Sequence, residues 1–125
     1  MKEIIKQKLL ETFGEKLDTS KIRIKKGIVN NFLVYIPFYD EEKMGGFRLS
    51  PVSDGYKIFS TLLYDKFKDK GIGKGMYKHI IKDLNKKNKT LYSDDNQSED
   101  AKRVWDKLVS IGVAEKIGDT YKSKN

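Results

Sequence analysis

The chain contains no cysteine, one histidine (His79) and two prolines among 125 residues. Without cysteine it has neither a disulfide framework nor a thiolate metal site, a composition that fits a reducing compartment such as the cytoplasm. A lone imidazole gives little basis for a histidine metal centre, so no metal is expected. No apolar run approaches the roughly 20 residues of a membrane-spanning helix. The longest, Phe32 to Phe38, is strand-sized and carries Pro37. The opening Met1-Lys2-Glu3 leads into an amphipathic segment rather than a signal peptide, and no membrane partner is expected.

Apolar residues make up 38% of the chain and charged residues 35%, the balance of an ordered, soluble domain. The length allows one domain, spanning residues 1–125, with a single core. The formal charge is +8, yet only three of the 26 basic residues are arginine. Excess lysine attracts nucleic acid, acidic protein or a polyphosphate ligand, but it equally makes a solvated surface. Arginine, the better base-reading residue, is what the sequence is short of, so nucleic acid is possible but not favoured.

Residues 2–17 read as an amphipathic helix, with Ile4, Ile5, Leu9, Leu10 and Phe13 on one face. Lys21 to Lys25 alternates as a half-buried strand, Gly27 to Asn31 turns, and Phe32 to Tyr39 forms a second strand with Pro37 at an edge or end. Its aromatics suit a core better than a base-stacking platform. Asp40 to Gly46 reads as a polar loop, followed by strands over Phe47–Val52 and Tyr56–Tyr64 joined through Ser53-Asp54-Gly55. The second half changes period. Met76, Ile80, Ile81 and Leu84 stripe a helix over Gly75–Lys86, with Lys74, Lys78, Lys82 and Lys86 on its other face. His79 reads as a partly exposed member of that helix. Lys89–Ser93 is a short strand. Ser98 is placed to cap a helix carrying Ala101, Val104, Trp105 and Leu108, and Gly112 suits its end. Two short strands around Gly118-Asp119 close the chain.

Nine lysines fall between Lys66 and Lys89, and Gly71-Ile72-Gly73-Lys74-Gly75 lies among them, between a strand and a helix. Backbone N–H groups at a helix start favour an anion, so a phosphate-bearing ligand is the first expectation. A Walker A loop needs a hydroxyl after its lysine, and here Gly75 follows Lys74. A dinucleotide fold wants the glycines directly after the strand, but Asp65 to Lys70 intervenes and too little chain follows for a doubly wound sheet.

Lys68-Asp69-Lys70-Gly71-Ile72-Gly73 resembles the [RQ]-x-x-G-x-[GA] loop of the GNAT N-acetyltransferase superfamily. Downstream, Ser98-x-x-Ala101-x-x-Val104-Trp105-x-x-Leu108-x-x-x-Gly112 is similar to that family's N-x-x-A-x-x-L-Y-x-x-x-G segment, with one extra residue before the glycine. With the strand Tyr56–Tyr64, helix Gly75–Lys86 and strand Lys89–Ser93 in the family's order, the resemblance extends from about Tyr56 to Tyr121, roughly half the chain. The resemblance implies an α/β fold: a mixed, mostly antiparallel sheet with one parallel crossover pair and helices on both faces.

It also implies acetyl-coenzyme A as cosubstrate and an amine of unknown identity as acceptor. The amides of Gly71, Ile72, Gly73, Lys74, Gly75 and Met76 would hold the diphosphate, with Lys68, Lys70 and Lys74 as counter-charges. Ser98 would stand where the family has asparagine, and backbone N–H groups at Leu62 and Leu63 would polarise the thioester carbonyl. Asp94, with Asp95 beside it, is the nearest candidate base, although the same residues read as a loop capping the next helix. The family's tyrosine proton donor is replaced by Trp105, whose indole is too weak an acid for the task and whose place on the apolar stripe suits a core residue. Tyr64 and Tyr77 are the alternative donors. Ser93-Asp94…Ser98…Ala101…Trp105 also resembles small bacteriophage GNAT-like proteins. That likeness implies host cytoplasm or a virion as the setting, and a phage or host protein partner for a chain without turnover.

Overall fold

A computed structural model describes residues 18–125. The helix expected over 2–17 lies outside the described residues. The described chain begins with a 3-10 turn at Thr19–Lys21 and enters β1 (Ile22–Val29) and β2 (Phe32–Tyr39), paired antiparallel from Ile22↔Tyr39 to Val29↔Phe32. The connection is the two residues Asn30 and Asn31, at φ 50° and 70°. This left-handed pair matches the strand twist and is a conformation asparagine tolerates. β1 therefore runs four residues past the strand expected from its alternation, with Gly27 paired to Val34 rather than turning.

Asp40 and Glu41 repeat the left-handed device at φ 48° and 70°, so the expected polar loop is a second tight turn. It leads into β3 (Glu42–Lys43), then Met44 and β4 (Gly45–Val52). β3 and β4 share one edge of β2, and Pro37 sits between their contacts at Phe38 and Tyr35. A residue without an N–H is harmless at that gap, while its carbonyl accepts from Met44 N at 2.9 Å.

β5 (Gly55–Leu63) pairs antiparallel with β4 along its length, with a bulge at Phe59. On its other side it meets β6 (Thr90–Tyr92) in parallel, but only from Gly55 to Lys57. Gly55 makes this contact possible, because a Cβ there would lie 1.9 Å from the Thr90 carbonyl oxygen. Beyond Lys57 the two strands part. β7 (Ala114–Ile117) and β8 (Thr120–Ser123) complete the sheet in the order β1-β2-β4-β5-β6-β8-β7, with β3 beside β2. The sheet is mostly antiparallel with one parallel pair, as the resemblance implies.

Two helices bridge the second half. α1 (Ile72–Asn85) buries Ile72, Met76, Tyr77, Ile80, Ile81 and Leu84. α2 (Glu99–Ser110) buries Trp105 and Leu108 and ends at Gly112, φ 82°. They pack against each other over the face that carries Leu33, Tyr35, Phe47 and Leu49. The Tyr35 hydroxyl ties α1 down by donating to Asp83 at 2.5 Å, and Tyr121 does the same for α2 through Asp106 at 2.6 Å. α1 starts three residues earlier than its apolar stripe suggests, so Gly73 and Gly75 are helical and only Gly71, at φ 77°, is left-handed. Glycine's poor helix propensity hides such a start, and Ile72, buried at 1% exposure, anchors it.

Candidate functional site

The parting of β5 from β6 opens a cleft of about 650 Å³ between the outer half of β5 and the first turns of both helices. Its walls are Thr61 to Leu63, Gly71 to Lys74 and the α2 residues Ser98, Ala101 and Val104. It continues into an inner chamber of about 260 Å³ bounded by Ile58, Ser60, Asp94, Gln97 and Trp105. Thr61, Tyr77, Ser98 and Ala101 line both spaces and form the passage between them.

The two helix starts that face this cleft differ. α2 is capped by Ser98, whose Oγ accepts from Ala101 N at 3.1 Å, and Glu99 and Asp100 stand in its first turn. α1 has neither a side-chain cap nor an acid in its first turn. The first amides of a helix have no carbonyl within reach, so Ile72, Gly73 and Lys74 present free donors and an uncompensated dipole. Gly75 does not, since its N–H bonds to Gly71 O at 3.0 Å. The fold does not itself require glycine at 73. A Cβ there would touch only Val104 Cγ2, at an ordinary 3.7 Å. Lys68, Lys74 and Arg103 line the outer cleft against Asp69 and Asp100. Arg103 is ion-paired to Asp100, and exposed Lys68 to Asp65 at 3.0 Å.

β5 supplies the opposite wall with its backbone. Tyr64 N donates to Met44 O at 2.9 Å. The alternation of an antiparallel pair then directs the Leu62 amide to β4 and leaves those of Thr61 and Leu63 toward the cleft. Among the positions read from sequence, Leu62, Leu63, Lys68, Gly71, Ile72, Gly73, Lys74 and Ser98 line the outer cleft. Lys70, Gly75 and Met76 do not, and Met76 is wholly buried in the core. Tyr64 is 40% exposed and lies outside both spaces.

Asp94 lines the inner chamber, the only carboxylate there among the described residues. Asp95 turns away and pairs with Lys57 at 2.8 Å. The strand end is pinned by buried Ser93, whose Oγ accepts from Tyr121 N at 2.9 Å. Gln97 donates to the Asp94 carbonyl and holds the loop closed. Trp105 is a core residue at 1% exposure, stacked on Tyr121 with centroids 5.6 Å apart and planes at 12°. His79 lies away from both spaces, edge-on to Tyr35 at 6.1 Å, and burial holds its pKa below the ordinary value.

Tyr77 lines both spaces, a placement that sequence reasoning did not give it. Its ring is wedged between Phe47 and Trp105, at centroid distances of 6.0 and 5.3 Å. Burial pushes its hydroxyl up to about 12, against a hydrogen bond with Thr61 that pulls it down. The apolar stripe of α1 gives Tyr77 a core position, and nothing in the period says that one end of its ring reaches a cavity. Thr61, Asp69, Asp100 and Arg103 line the cleft without any motif to mark them.

No protein-family model matches the chain, and no curated protein is similar to it in sequence. Solved structures are similar in fold. A GNAT family acetyltransferase from Elizabethkingia anophelis with acetyl-CoA bound superposes at TM-score 0.63 and 15% identity, over 84% of this chain and 99% of that one. The IAA acetyltransferase from Bacillus cereus gives 0.59 at 14% identity, over 70% and 75%. The PaiA N-acetyltransferase from Thermoplasma acidophilum in complex with coenzyme A gives 0.55 at 17%, over 76% and 62%. The chain has the fold of the GNAT N-acetyltransferases.

Proposed function

We propose that the protein binds an acyl-coenzyme A, with acetyl-coenzyme A as the expected cosubstrate, and transfers the acyl group to an amine. The observation that carries this reading is the parting of β5 from β6 after three paired residues, with the uncapped start of α1 at the mouth of the gap. The outer cleft has free helix amides with Lys68 and Lys74 beside them and apolar Leu62, Leu63 and Val104 further along, which suits a diphosphate followed by an extended arm.

The chain's groups fit the ligand end to end. The amides of Ile72, Gly73 and Lys74 meet the diphosphate, and residue 73 puts no bulky or charged side chain in its way. Lys68 and Lys74 supply counter-charge from opposite sides of the loop. The arm lies along Thr61 to Leu63, whose cleft-facing amides hydrogen-bond it and the thioester oxygen. Coenzyme A brings the activated thioester carbonyl. The amine enters the inner chamber, where the Asp94 carboxyl group is placed to attract it and take its proton.

Soluble chemistry of this kind fits the host cytoplasm, and among the described residues no helix is long and apolar enough to cross a membrane. The test is thermal unfolding with and without millimolar acetyl-coenzyme A, followed by thiol release in the presence of a panel of amines. A ligand at about 100 times its Kd adds roughly 2.7 kcal/mol, several degrees for a domain of this size. An unchanged midpoint would sink the coenzyme reading and leave the fold serving a protein-binding role, such as a phage or host partner. A shift without thiol release would separate binding from turnover.

A further inference from the structure

We propose that the free edge of β1 takes up an extended, acid-rich segment of another protein as an added strand of the sheet, on a surface separate from the cleft.

β1 ends the sheet, and among the described residues no strand lies beyond it. The two-residue turn at Asn30-Asn31 makes Val29↔Phe32 a hydrogen-bonded pair, and such pairs recur at every second position. The bond from Asp40 N to Lys21 O, at 2.9 Å, is in phase with this alternation. So is Pro37, which lacks an N–H and stands opposite Ile24 in a pair that needs none. Arg23, Lys25, Gly27 and Val29 therefore turn their backbone groups to β2. The N–H and C=O groups of Ile22, Ile24, Lys26 and Ile28 point outward from the sheet.

Proteins blunt such edges with short strands, prolines or bulges. The opposite edge, β7, is only four residues long. β1 runs eight residues in unbroken register without proline, and only Ile22 in it is buried. What β1 has instead is charge, and the charge selects the occupant. Lys26 reaches Asp83 on α1 at 2.6 Å, and Ile22 and Ile24 pack on the core, so these residues share the helix-covered face. Arg23 and Lys25 then stand on the other face, Arg23 paired with exposed Glu41 and Lys25 over the Phe38 ring.

A second copy of the chain is the wrong partner for this edge. Two-fold antiparallel pairing centred on Ile24 sets Arg23 against Lys25, and centred on Lys25 or Lys26 it sets a lysine against its own copy. A strand with acidic residues opposite Arg23 and Lys25, and apolar ones opposite Ile24 and Ile28, gains at each of these pairs. It would also cover Ile28 and Val29, which are 65% and 56% exposed. The edge thus fits a peptide of alternating acidic and apolar residues, held by main-chain hydrogen bonds and sorted by its side chains.

The probe is a fluorescein-labelled octapeptide of alternating glutamate and valine, titrated into the full chain by anisotropy, with amide hydrogen exchange read residue by residue. In the free chain the Ile24, Lys26 and Ile28 amides should exchange faster than those of Lys25, Gly27 and Val29. Saturating peptide should slow the first set at least about tenfold and leave the second unchanged. Lys25→Glu should weaken binding about tenfold. Ile28→Pro removes one outward N–H, keeps the β1–β2 ladder and should weaken binding about two- to tenfold. No binding at about 1 mM peptide would overturn the proposal. Equal affinity for a peptide with alternate valines replaced by proline would reduce the effect to charge alone and overturn the added strand. Tighter binding of a single-stranded oligonucleotide would reassign the surface to nucleic acid. Slow exchange at Ile24, Lys26 and Ile28 in the free chain would show an edge already occupied, by a second copy if dilution relieves it and by the chain itself if not, and either would refute the free edge.

Discussion

Gly73→Asp separates the fold from the ligand because the two respond with opposite sign. Residue 73 lies in the first turn of α1, and its Cβ would face only Val104 Cγ2 at 3.7 Å, so the substitution meets no clash. Replacing glycine in a helix recovers a few tenths of a kcal/mol of propensity. A carboxylate near the positive end of the dipole adds about 0.3–1 kcal/mol, since the α1 first turn contains no other acid. The unliganded variant should therefore unfold a few degrees above wild type. Against the proposed ligand the same carboxylate would face the diphosphate, at a separation of about 4 Å for groups in van der Waals contact. One like-charge pair at that distance is worth roughly 4 kcal/mol at an effective dielectric of 20. Affinity should fall at least about 10³-fold.

Calorimetry with coenzyme A and a denaturant titration of the free chain read the two halves independently. Gly73→Ala is the control: it should also stabilise, by up to about 1 kcal/mol, and keep the ligand. Alanine brings no charge, and the loop pattern that this sequence resembles admits it. Undiminished affinity in Gly73→Asp would remove the α1 start from the site. A free chain destabilised by more than about 1 kcal/mol would refute the helical placement of residue 73.

Three further outcomes follow from the fold. Gly55→Ala puts a Cβ 1.9 Å from the Thr90 carbonyl oxygen, which is backbone and cannot swing aside. It should cost about 2–3 kcal/mol in denaturant unfolding, whereas Gly27→Ala, with nothing within 4 Å, should be near neutral; equal values would refute the close contact of β5 and β6. Ser98→Ala deletes the acceptor of the Ala101 N–H and should lower stability by about 1 kcal/mol, and no loss would mean the cap contributes nothing. Burial works to raise the Asp83 pKa, but hydrogen bonds from Lys26 and Tyr35 outweigh it and hold the carboxyl below its ordinary 3.8. Its contribution is present above that value and is lost as pH falls through the depressed pKa, so the deficit of Asp83→Asn at pH 7 should shrink on acidification; a constant deficit would refute it.

Local chemistry made some of this legible. The continuous apolar run marked the bounds of β2, Ser98 marked a cap and Gly112 a helix end. Long-range pairing was not legible. No feature of Gly55 to Leu63 says that its first three residues pair in parallel with β6 while the rest pair with β4 alone, because that choice is made by the chain between them. The glycines of α1 concealed its start for the same reason that they suit a ligand, the lack of a side chain. Asp94 and Asp95 are neighbours of the same type, and only the strand end pinned at Ser93 sends one to the chamber and the other to Lys57.

These observations also account for a fold that aligns at 12–17% identity without a sequence match. A cleft made by parted strands depends on where hydrogen bonds stop, and many side chains are compatible with that. For the proposed ligand, the diphosphate end asks only for free amides and room, and the carbonyl end only for N–H groups on β5. Side chains are needed at the reacting atoms, and there the chain departs from the pattern it resembles: an indole fills the place of the phenol on α2. A core built around Trp105 and Tyr121 cannot take that phenol back without reopening a stacked pair.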